Sequence, residues 1–113
     1  VSYERLLAVY CRPIDPTTRA QAFVDEGHQY RSAIYVQTPT ERAAAERSLQ
    51  ALAAANRFGA PIVTTIEPAA VFWVAEGYHQ NFYRTHPERY HQCHEHSGRR
   101  EFLRRIWGPD ADY

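Results

Sequence analysis

The stretch QYRSAIYVQTPTERAAAERSLQALAAANRFGAPIVTTIEP, residues 29–68, decides the fold. At its start Tyr30, Ser32, Ile34 and Val36 fall on one side of an extended chain, and Arg31, Ala33 and Tyr35 on the other. Such period-two alternation marks a strand with two different faces. Thr38, Pro39 and Glu41 then read as N-cap, first helical residue and N3 of a capping box, with proline where its missing N–H is tolerated. ERAAAERSLQALAAAN continues as a helix with Ala45, Leu49 and Leu52 on its inner face, and Gly59 supplies the stop. PIVTTIEP at 61–68 is a second strand. Strand, helix and strand in 40 residues is the length of a βαβ unit, which places the chain among α/β domains.

Working outward, Ser2 is placed to cap a short helix whose apolar residues Tyr3, Leu6, Leu7 and Tyr10 follow helical spacing. Pro13 and the IDPTT stretch at 14–18 end it. Downstream, AEGYHQNFYRTH at 75–86 reads as a short amphipathic helix with Tyr78 and Phe82 on one face. REFLRRIW at 100–107 is a last helix, with Phe102, Leu103 and Ile106 inward. No internal repeat and no second domain is visible.

At 113 residues the chain forms one domain at most. Its thirteen basic residues, all Arg, balance thirteen acidic ones, so no global field draws it to nucleic acid or to anionic lipid. No apolar run approaches membrane-spanning length. Cys11 and Cys93 lie 82 positions apart with no CxxC and no disulfide framework, which fits a reducing, cytoplasmic setting. Each reads first as a small, half-buried hydrophobe.

The segment 86–98 is rich in histidine, and YHQCHEH at 90–96 raises the question of zinc. A structural zinc site needs four deprotonated ligands, usually as two pairs held by tight turns. Cys93 and its histidine neighbours supply one pair, and no second pair exists. His91, His94 and His96 do not share one face of a regular helix. The expectation is therefore a solvated polar segment and no metal, with a histidine-tail metal binder as the alternative. Phosphate loops, GxSxG elbows and paired CxxC motifs are also missing. What remains is a patch of polar and aromatic residues at element ends: Asp25, Gln29, Tyr30, Glu76, Tyr78 and His79. A carboxylate and a phenol five residues apart can together orient a polar substrate group, or can simply be a solvated strand entrance.

Several segments carry a more specific likeness. QYRSAIY at 29–35, RFGAPIVTTIEP at 57–68 and FWVAEGYHQNFY at 72–83 resemble, in order, the second half of peptide methionine sulfoxide reductases of the A type. IDPTT at 14–18 and GRREFLRRIWG at 98–108 resemble one branch of that family. The resemblance implies an α+β two-layer sandwich, a mixed sheet packed against helices, with residues 1–113 forming a single partial domain. It implies reduction of peptide-bound and free methionine (S)-sulfoxide by a cysteine thiolate, with thioredoxin or another thiol as reductant and no cofactor. By the same resemblance Asp25 and Tyr30 sit beside the sulfoxide as catalytic residues, Tyr30 donating to its oxygen. Glu76 and His79 match the AE-YHQ segment and are expected in the substrate-binding wall.

The departures are equally specific. The family's GCFW nucleophile motif and the GHAE-like stretch holding its glutamate do not occur here. Cys11 stands where the family usually has a tryptophan, Gly77 replaces a common aspartate, and Ser97 stands where the branch often has a cysteine. The chain thus reads as a fragment lacking the nucleophile and inactive by itself. Its two strands are too few for a covered sheet, so exposed apolar surface is expected. The alternative is a non-catalytic binding module, for instance a degenerate relative that recognises oxidised methionine.

Overall fold

A computed structural model describes residues 1–111. Helix α1, Tyr3–Tyr10, starts at Ser2, whose hydroxyl accepts the Arg5 amide at 3.1 Å. An antiparallel ribbon follows, β1 at Gln21–Ala22 and β2 at Asp25–Glu26, and leads into a 3-10 turn at His28–Tyr30. Strand β3, Ala33–Val36, helix α2, Pro39–Ala54, and strand β4, Thr65–Pro68, form the βαβ unit. β3 and β4 are parallel, with Ile34 opposite Ile66 and Tyr35 opposite Glu67. A second 3-10 turn, Gly77–His79, precedes α3 at Phe82–Thr85, α4 at Pro87–His96 and α5 at Arg99–Trp107. The protein is thus mixed α/β, helices packed on small sheets, with its parallel and antiparallel pairs in separate two-stranded sheets.

The core sits on one face of the β3–β4 pair. Alternation sends Ile34 and Val36 to that face, where Leu7 of α1 and Ala44 and Ala45 of α2 meet them. Ala45 is fully buried, so α2 approaches the sheet closely. Of the inner residues expected on α1, Tyr3, Leu7 and Tyr10 pack inward, but Leu6 is exposed, because an eight-residue helix covers its neighbours with a single line of side chains. The two tyrosines do more than pack. Tyr10 Oη accepts the Ala33 amide at 3.1 Å and donates to the Ala33 carbonyl at 3.2 Å, while Tyr3 Oη donates to the Tyr35 carbonyl. These are the polar groups of β3 that point away from β4, so phenols occupy the strand's outer edge.

A second cluster ties α5 to the first half of the chain. Buried Phe102 meets Phe23 edge-on, with ring centroids 5.4 Å apart, and stacks near Phe58, which in turn meets Trp107. Arginines rim this cluster, with Arg57 lying 4.8 Å over the Trp107 ring. The other face of the β3–β4 sheet is open. Tyr35 is exposed there, and Val71, Phe72, Trp73 and Val74 stand 74–86% exposed in a stretch outside any helix or strand. The apolar surface expected of so small a sheet is present.

Several boundaries differ from expectation. Residues 29–32 are not strand: Gly27 at φ 138° turns the chain, and the amides of Tyr30 and Arg31 bond locally to Gly27 and His28 carbonyls. β4 begins at Thr65 rather than 61, because the Val63 amide donates to Pro16 in the IDPTT turn instead of to a strand. Asn56, at φ 49°, ends α2 before Gly59 is reached. The expected helix at 75–86 is divided by Asn81 at φ 53°, leaving a 3-10 turn and one helical turn, so Tyr78 and Phe82 do not share a buried face.

Candidate functional site

Asp25 and Tyr30 are positioned by one compact unit. Phe23 takes φ 58° in the two-residue turn between β1 and β2, the backbone that hairpin turns with a positive first φ require. The Gln21 side chain donates to the Phe23 carbonyl at 2.6 Å and holds the turn. Gly27 then reverses the chain into the 3-10 turn that carries Tyr30. A side chain there would meet the backbone conformation at φ 138°, which L residues rarely adopt.

The two residues border different cavities. Asp25 lines a space of about 560 Å³ with Tyr90, Cys93, His94 and Ser97 from the histidine-rich segment. Tyr30 lines a smaller space of about 100 Å³ with Tyr10, Asp15, Arg31 and Ser32. Arg99 belongs to both walls. Two residues of the smaller cavity's wall are tied to the strand beside them: the Ser32 hydroxyl pairs with that of Thr64 at 2.7 Å, and Arg31 meets Glu67 at 3.1 Å. Glu76 and His79 border neither cavity. Their side chains face each other at 3.8 Å on the exposed 3-10 turn, and the Tyr78 ring lies 4.2 Å from the His79 ring.

The histidine-rich segment is helical. α4 exposes almost all of its side chains, and among the described residues no group of three or more His, Cys, Asp and Glu is arranged to hold a metal ion. His96 Nδ1 is engaged with the Gln92 carbonyl at 2.8 Å. Both cysteines are free thiols, Cys93 exposed on α4 and Cys11 buried. Cys11 caps the end of α1 with its sulfur 3.9 Å from the Ser48 hydroxyl, and burial pushes its pKa up. No helix among the described residues is long and apolar enough to cross a membrane.

Arg99 and the Asp25–Cys93 cavity escaped the reading of the sequence. The only signal was GRR at 98–100, which reads as the polar start of a helix. Gly98, at φ 77°, re-aims the chain between α4 and α5 and so brings Arg99 back to Phe23 and the ribbon.

Known proteins resemble this chain along almost all of it. The family model described as peptide methionine sulfoxide reductase matches residues 1–111. The peptide methionine sulfoxide reductase MsrA of Halalkalibacterium halodurans is 46% identical over 106 residues, 94% of this chain and 60% of its own length. That of Streptococcus equi subsp. equi is 46% identical over 107 residues, 95% of this chain and 62% of its own. The Bacillus licheniformis protein is 43% identical over 110 residues, 97% of this chain and 61% of its own. The chain therefore spans about three fifths of the length of the curated relatives it matches.

Proposed function

The chain belongs to the peptide methionine sulfoxide reductase family, and on that footing we propose that it carries the sulfoxide-recognising part of a thiol-dependent reductase. Its substrates are peptide-bound and free methionine (S)-sulfoxide. The observation that carries the reading is the likeness itself, 43–46% identity to named reductases across 94–97% of the chain. Residues 1–113 act as one partial reductase domain, with the histidine-rich segment 86–98 inside it.

In the proposed reaction a cysteine thiolate attacks the sulfoxide sulfur. The new bond between the two sulfurs then breaks as the oxygen, protonated, passes from the methionine sulfur to the cysteine sulfur; methionine leaves as the thioether and the cysteine becomes a sulfenic acid, so the thiol gives up the electron pair that the sulfoxide gains. A second thiol closes a disulfide with loss of water, and thioredoxin or another thiol of the reducing cytoplasm restores the pair. Tyr30 donates to the sulfoxide oxygen as it gains charge and a proton. Asp25 orders the polar groups and water around it, and the family likeness assigns Glu76 and His79 to the substrate-binding wall, although on their exposed turn they border neither cavity. No cofactor takes part. Cys11 does not supply the thiolate, because a buried sulfur with a raised pKa is the opposite of an activated nucleophile.

The test has two arms. The chain alone, given a methionine sulfoxide peptide and dithiothreitol, should not turn over; activity abolished by Cys93→Ser would instead make Cys93 the nucleophile. In a chimera where residues 1–113 replace the matching segment of the Halalkalibacterium halodurans relative, Tyr30→Phe should slow single-turnover thiol oxidation roughly tenfold with little change in substrate binding. Asp25→Ala should cost about as much. Tyr35→Phe, on the exposed sheet face, is the control. If all three variants match the parent, Tyr30 and Asp25 have no part in the chemistry.

A further inference from the structure

The arm from Pro68 to Cys93 stands off the rest of the molecule. Apart from half-buried Phe82, every residue in it is exposed, among them Val71, Phe72, Trp73 and Val74 beside the open face of the β3–β4 sheet. The whole molecule registers this. It exposes 8350 Å², whereas a compact monomer of its size exposes about 6,400 Å². Its radius of gyration, 15.1 Å, likewise exceeds the roughly 13 Å of a compact chain of this length. Each chain therefore carries a surplus of roughly 2,000 Å², and its part at Val71–Val74 is apolar.

The patch has the form that a second copy needs. A groove of about 400 Å³ lies among Tyr35, Gln37, Ala69, Ala70, Phe72 and Trp73. Two exposed aromatic rings thus stand beside a hollow bordered by two alanines. A two-fold interface requires that combination, because each copy presents both the inserting group and its receptor. Residues 69–75 include no ionisable side chain, and Glu67, opposite Tyr35 on the sheet, is paired with Arg31. Two such patches meet without repulsion, and nothing on them selects a charged partner. Half of the surplus from two chains, roughly 2,000 Å², already reaches the range of obligate homodimers. We propose that this face is a homodimer interface in which Val71–Val74 of each copy seats against Tyr35, Ala69 and Ala70 of the other. The interface does not depend on the function proposed above.

Sedimentation equilibrium of the 113-residue chain tests this, with a reductant present so that exposed Cys93 forms no disulfide between copies. At about 10 µM the chain should sediment at twice its own mass, since interfaces of this size bind with micromolar or tighter affinity. Trp73→Glu brings two charges into the contact and should raise the dissociation constant at least about thirtyfold. Trp73→Phe should keep a weaker dimer. Leu6→Glu, at an exposed residue of α1, which packs on the other side of the sheet, should leave the constant unchanged. In a mixture of isotope-labelled and unlabelled chains, NOEs should link the Trp73 indole of one copy to the Tyr35 ring of the other. That measurement uses the unaltered chain and holds whether or not a variant folds. Chymotrypsin should cut after Phe72 and Trp73 quickly in dilute, monomeric solution and slowly where the dimer is populated.

A chain that stays monomeric up to about 100 µM overturns the interface and leaves the face to a polypeptide of another sequence. A mass that keeps growing past two copies also overturns it, because a two-fold contact closes on itself. So does a dimer that survives Trp73→Glu unweakened, or one whose NOEs run through other surfaces.

Discussion

Tyr10 joins helix to strand through one oxygen that accepts the Ala33 amide and donates to the Ala33 carbonyl. Donation requires the neutral phenol, and burial, the main cause, pushes its pKa above 10.0. An acid whose pKa is raised in the fold gives stability that is fully present below its unfolded pKa and disappears as pH climbs through the folded one. The urea midpoint should therefore fall as pH rises above about 10, and Tyr10→Phe should flatten that fall while costing about 1–3 kcal/mol at pH 8. An unchanged pH profile in Tyr10→Phe would move the effect to Tyr3, whose pKa burial also raises. The spacing in YERLLAVY made Tyr10 legible as an inward residue. Its two hydrogen bonds with the Ala33 backbone were not legible, because they depend on where the edge of β3 comes to lie. The same division holds at the site. Asp25 and Tyr30 were expected there by resemblance alone, whereas the place of Arg99 in the walls of both cavities depends on the turn at Gly98 and on contacts between residues far apart in sequence.

At the scale of elements, α2 shows what local chemistry alone can specify. Thr38 Oγ1 accepts the Glu41 amide at 3.1 Å, as the capping box requires, while Glu41 reaches back to the Gln37 amide at 2.7 Å, one residue earlier than the usual partner. Thr38→Ala should destabilise the protein by about 1 kcal/mol in urea titration, with the slope unchanged. A shift below a few tenths would mean that α2 is held by its packing and not by its cap. Everything in this start signal lies within five residues, so it could be read directly. Strand limits could not. Residues 29–32 and 61–64 have strand-like composition, yet their amides go to a local turn and to Pro16, and no periodicity reports a competing partner. The stop of α2 shows the same difficulty, since both Asn56 and Gly59 adopt positive φ and Asn56 simply comes first.

For the whole molecule, βαβ packing was legible because its apolar residues repeat in register, whereas the return of α5 to Phe23 and Phe58 was not. That return has a consequence for Val71–Val74, which lies outside any helix or strand between the two halves of the chain. A protease that cuts after aromatic residues meets Phe72 and Trp73 at 86% and 85% exposure. Limited chymotrypsin digestion should nick there early. The severed pieces would remain a noncovalent pair, because Phe102 and Trp107 of the second piece stay seated against Phe23 and Phe58 of the first. Two bands on a denaturing gel and one species on a sizing column is the expected result. Pieces that elute separately would show that the polypeptide between them, and not the aromatic cluster, keeps the halves together.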